Sequence, residues 1–89
     1  MPERAPPNRS FRAHRVTAQF TVDARGLKCP VNWARAKTAL EALPARACLE
    51  VLVDDPRSER DLPAAAEAEG HVVLAVERAG GHIRILIEK

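Results

Sequence analysis

Aromatic side chains are nearly absent: two Phe, one Trp and no Tyr make up 3% of the 89 residues. The core must therefore be built from Val, Leu, Ile and Ala. Strands so poor in aromatics also lack the stacking platform that single-stranded nucleic acid needs, which argues against a nucleic-acid partner. Cysteine is scarce too. Cys29 and Cys48 are too few for a disulfide framework. They form no Cys-x-x-Cys, no Cys/His set has zinc spacing, and His14, His71 and His82 are scattered, so no metal and no cofactor are expected. No run approaches the roughly 20 apolar residues of a membrane helix. None near the N-terminus resembles the apolar core of a secretory signal. A monomer in the reducing cytoplasm, away from membranes, is the expectation.

Net charge is small, +2 from 14 Lys+Arg against 12 Asp+Glu, but it is unevenly placed. Residues 1–18 carry Arg4, Arg9, Arg12 and Arg15 against Glu3, a balance of +3, which leaves −1 for the rest. That stretch also holds Pro2, Pro6 and Pro7 and shows no helical or strand period. It reads as a flexible basic tail ahead of one domain over residues 19–89.

Periodicity orders that domain. Residues 19–23 alternate, with Phe20 and Val22 on one face of a first strand. A loop through Ala24, Arg25, Gly26, Leu27 and Lys28 follows. Pro30 opens a helix, where its missing N–H does no harm. Trp33, Ala36, Leu40 and Leu43 form the helix's apolar face, and Pro44 ends it. Residues 48–53 are a more buried strand that places Cys48 in the core, and Asp54, Asp55 and Pro56 make a turn. Ser58 and Asp61 are both possible N-caps for the second helix; Asp61 is favoured because it puts Pro63 in the first turn. Gly70 is the C-terminal stop. Residues 71–78 and 82–89 are strands joined at Gly80-Gly81. In the last, Ile83, Ile85 and Ile87 face one way, and Arg84, Leu86 and Glu88 the other. The order β-α-β-α-β-β predicts an α/β two-layer sandwich, a four-stranded mixed sheet with two helices on one face.

Cys29 is the residue with chemistry. With Pro30 as first helical residue, Cys29 becomes the N-cap, its sulfur over unpaired N–H groups and the positive end of the helix dipole. Arg25 and Lys28 add nearby cations. Such surroundings favour thiolate, the form that attacks a sulfur donor or holds a bound sulfur. The competing reading, a small buried filler, fits the usual burial of free cysteine, and placement alone leaves both open.

The run Asp23-Ala24-Arg25-Gly26-Leu27-Lys28-Cys29-Pro30 resembles the Asp-x-x-Gly-x-x-Cys-Pro-x-Pro signature of the TusA/SirA-like sulfur carrier proteins. Further similarity follows in order at Ala36-Lys37, Ala39-Leu40, Val53-Asp54-Asp55-Pro56, Asp61-Leu62-Pro63, Gly70-His71 and Ile85-Leu86-Ile87-Glu88-Lys89. The resemblance implies the same sandwich and a sulfurtransferase-type carrier that holds sulfur as a persulfide on Cys29. It implies a desulfurase or rhodanese-like donor protein and an acceptor protein as partners. Asp23, Gly26 and Pro30 match the signature around Cys29, whereas Asn32 stands where the family has its second Pro. Asn32 is expected to turn its N–H toward the sulfur and its side chain back to the Cys29 N–H, as in a capping box. The alternative function is a non-catalytic regulatory module, or one that binds RNA or protein, on the same fold.

Overall fold

The computed structural model describes residues 18–89, so the expected basic tail lies outside the described residues apart from Ala18. Six elements follow in the expected order. They are β1 (Phe20–Asp23), α1 (Val31–Glu41), β2 (Cys48–Val53), α2 (Ser58–Ala68), β3 (Val72–Ala79) and β4 (His82–Glu88). The sheet order is β1-β2-β4-β3, with β1 parallel to β2 and both remaining pairings antiparallel. A parallel pair needs a crossover rather than a hairpin, and α1 supplies it.

The register sorts the side chains. Leu49 pairs with Ile87, Val51 with Ile85 and Val53 with Ile83, and all six are buried under the helices. From α1, Asn32, Ala36 and Leu40 meet them; from α2, Ser58, Leu62 and Ala66 do. Each trio is spaced i, i+4, i+8, one stripe of a helix. Trp33, expected in the α1 stripe, is half-buried at its edge, whereas Leu43 lies past the helix, which ends at Glu41 with Ala42 as C-cap rather than at Pro44; Leu43 is half-buried against the core.

The other sheet face carries Thr21, Glu50, Arg84 and Glu77. The Thr21 hydroxyl donates to Glu50 at 2.9 Å, and Arg84 donates to both Glu50 and Glu77. Leu86 shares this face yet is only 1% exposed. Cys48, half-buried, pairs with Glu88 on the same polar face. It is therefore not in the helix-covered core, as its apolar neighbours suggested, because strand alternation puts Leu49, Val51 and Val53 there instead. Burial and, to a lesser degree, the charge of Glu88 push its thiol pKa up. A bulge between Val73 and Ala75 also breaks the simple alternation expected of β3.

The second helix starts earlier than expected. Its N-cap is Arg57, and the Asp61 N–H already donates to Arg57 O at 2.9 Å. Asp61 therefore lies inside the helix, and Pro63 sits in its second turn. Burial of Ser58, one turn above Leu62, requires that extra turn.

Candidate functional site

Parallel pairing puts the loops leaving β1 and β2 side by side, at the ends of the strands where α1 and α2 begin. The first loop opens with a turn in which Leu27 N–H donates to Ala24 O at 3.3 Å. Gly26 is its third residue with φ +86°, a conformation open to glycine at little cost. Its N–H donates to Asp54 Oδ1 at 2.9 Å. Three residues on, the Cys29 N–H donates to Asp55 Oδ2 at 3.1 Å, and Asp55 Oδ1 accepts the Arg57 N–H at 3.1 Å. Those two N–H groups, the Cys29 one foremost, hold the Asp55 carboxyl below the usual carboxylate range, with help from the charges of Arg57 and Lys28.

Cys29 is partly exposed at this loop, and its bond to Pro30 is cis. The N-cap of α1 is Pro30, not Cys29. The Cys29 N–H is therefore outside the helix and free to bond across to Asp55. Asn32 also departs from expectation. Its N–H donates to Lys28 O at 3.1 Å rather than to the sulfur. Its side chain turns away from Cys29 and is fully buried, with Nδ2 donating to Ser58 Oγ at 2.6 Å and to Leu27 O at 3.4 Å. Among the described residues its Oδ1 has no hydrogen-bond partner. The physical reason is register: Asn32 heads the buried stripe of α1 and Ser58 heads that of α2, so the two polar groups meet where the helices start.

Asp23 and Arg25 pair with each other. Arg25 donates to Asp23 from Nε and Nη2, each at 2.8 Å, and from its own N–H at 3.1 Å. This pair pulls the Asp23 carboxyl down to about 2. The guanidinium expected to serve the sulfur is thus engaged with its own loop. Lys28 is exposed beside Asp55.

Of the expected site residues, Gly26, Cys29 and Asn32 are hydrogen-bonded to Asp54, Asp55 and Ser58, Lys28 and Pro30 flank Cys29 in the chain, and Asp23 and Arg25 pair with each other. In the sequence Asp54 and Asp55 read as a turn within a stretch similar to the family, and Ser58 as a possible cap. One signal in the sequence points to Ser58. A polar residue in phase with Ala36 and Leu40, and another in phase with Leu62 and Ala66, must find each other when the helices pack. Among the described residues no group of His, Cys, Asp and Glu could hold a metal, and no helix is long and apolar enough to cross a membrane. The open sheet face carries Glu50, Glu77 and Glu88 against Arg84, a poor match for a polyanion. Phe20, the one strand aromatic among the described residues, is in register with Leu49 on the helix side.

The family profile described as sulfurtransferase TusA matches residues 20–89. The sulfur carrier protein TusA of Allochromatium vinosum is 37% identical over 68 residues, covering 76% of this chain and 90% of its own. A candidate sulfur carrier protein of Archaeoglobus fulgidus is 34% identical over 73 residues, covering 82% of this chain and 83% of its own. The crystal structure of a SirA-like protein from Desulfitobacterium hafniense superposes with a TM-score of 0.68 at 36% identity. That match covers 79% of this chain and 96% of the other.

Proposed function

This chain belongs to the sulfurtransferase TusA family, and on that footing we propose that it relays sulfur as a persulfide on Cys29. A donor protein of the desulfurase or rhodanese type loads it, and an acceptor protein unloads it. The observation that carries the reading is the partly exposed Cys29 thiol, presented on a loop whose backbone is held from the neighbouring loop.

The chemistry asks little else of the protein. The Cys29 thiolate attacks the outer sulfur of the donor's persulfide. A new S–S bond forms, the donor's S–S bond breaks, and its electron pair leaves on the donor cysteine as thiolate. No oxidant is consumed, because the sulfane sulfur moves with its oxidation level unchanged. Unloading is the same step with an acceptor thiolate attacking the outer sulfur on Cys29. The start of α1 puts the positive end of a helix dipole at the sulfur-bearing loop, a setting that favours anions. Cys48 takes no part, since it lies on the open sheet face with burial opposing its ionised form.

Intact-mass spectrometry after incubation with a cysteine desulfurase and cysteine tests this reading. The wild type and Cys48→Ala are expected to gain one sulfur, and Cys29→Ala none. Equal gain by Cys29→Ala would overturn the assignment.

A further inference from the structure

We propose that Asp54 and Asp55 are positioning residues for sulfur transfer: they grip the backbone of the 26–29 loop and fix where the Cys29 thiol points. The inference rests on the carrier reading above and deepens it.

Two carboxylates, adjacent in sequence, leave β2 and bond across to two N–H groups of the loop that leaves β1. Asp54 Oδ1 accepts from Gly26 at 2.9 Å, and Asp55 Oδ2 accepts from Cys29 itself at 3.1 Å. A third tie runs beneath them, from Asn32 Nδ2 to Ser58 Oγ at 2.6 Å. The three contacts join the same two segments at successive points along each: 26, 29 and 32 on one side, and 54, 55 and 58 on the other. The Cys29 sulfur hangs from the middle contact.

Packing does not require the upper two. Asp54 is exposed and Asp55 only half-buried, and water competes for hydrogen bonds there, so their net contribution to stability is small. Their effect falls instead on geometry. Transfer between two proteins succeeds only when thiolate and outer sulfur meet in line, and a misplacement of about 1 Å can cost roughly 100-fold in rate. A cysteine whose own N–H is anchored from a second loop loses backbone freedom before the partner arrives. Asp55 is also bonded to the Arg57 N–H at 3.1 Å, so its carboxylate is held at both oxygens and cannot swing with the loop.

The test compares wild type, Asp55→Ala, Asp55→Asn and Asp54→Ala by two rates. One is sulfur uptake from a persulfidated desulfurase, followed by intact mass against time. The other is alkylation of Cys29 by iodoacetamide, a small neutral reagent that needs no docking. Asp55→Ala is expected to take up sulfur at least tenfold more slowly, while its alkylation stays within twofold of wild type. Asp55→Asn keeps one acceptor oxygen for the Cys29 N–H and is expected within about threefold of wild type; Asp54→Ala is expected between the two. Should Asp55→Ala fail to melt cooperatively, the Asn and Asp54 variants decide by the same comparison. Uptake by the alanine variants at the wild-type rate overturns the positioning role and leaves the carrier reading intact, as does a fall matched by an equal fall in alkylation. No uptake by the wild type overturns both.

Discussion

Asn32 and Ser58 set two neutral polar side chains into an otherwise aliphatic layer, each fully buried and each bonded to the other. A buried polar group costs little when partnered and much when left alone. Ser58→Ala removes the short partner and leaves the Asn32 amide with only the long contact to Leu27 O at 3.4 Å. The expected loss is about 1–3 kcal/mol, read from the urea midpoint. Replacing both residues by alanine should cost less than the sum of the single changes, because the stranded amide goes too. Strict additivity would show that the two side chains do not interact. The family's second Pro has no side-chain amide to bury, so this tie is a property of the Asn32 substitution rather than of the signature.

The elements themselves were largely readable from periodicity. The β4 alternation of Ile83, Ile85 and Ile87 against Arg84, Leu86 and Glu88 appears in the register as expected, because a strand's period of two leaves little freedom. Both helices were found for a similar reason. Their starts were harder: α1 opens one residue late, with Pro30 as N-cap, and α2 opens at Ser58 rather than after Asp61. Neither N-cap makes a side-chain capping bond, so the usual cap residues gave no guidance there. The Asp54–Asp55 contacts were invisible for a deeper reason: they join positions 26 and 28 residues apart, and only the parallel β1–β2 pairing brings them together. The end of α2 was clearer than that of α1, which stops at Glu41 short of Pro44. Gly70, at φ +93°, ends α2 with its N–H on Glu67 O at 3.0 Å and the His71 N–H on Ala66 O at 3.0 Å, a Schellman arrangement. Gly70→Ala forces a Cβ into that left-handed conformation and is expected to cost about 1 kcal/mol, seen as a lower melting temperature. An unchanged melting temperature would mean that α2 can end without the turn.

At the scale of the whole fold, four carboxylates among the described residues are drawn the same way. Asp23 is drawn to about 2 from 3.8 by Arg25, Asp55 is lowered by the Cys29 and Arg57 N–H groups, and Glu59 is lowered by Arg78. Burial opposes the charge on Glu50, yet the hydrogen bonds from Arg84 and Thr21 prevail and lower it too. A carboxyl lowered by folding stabilises the folded state fully above its unfolded value, and that stability is lost as pH falls through the folded value. The melting temperature, followed by circular dichroism, should therefore decline steadily from about pH 5 to pH 2; a flat profile there would contradict these pairings. The same layout, two loops joined at the ends of parallel strands, is what singles out one thiol of two for the proposed carrier role. Peptide mapping tests that most directly. Trypsin separates the cysteines into peptides 29–35 and 47–57, so after loading by a desulfurase the extra sulfur can be located. The account predicts it on peptide 29–35 alone; sulfur on 47–57, or on neither peptide, would contradict it.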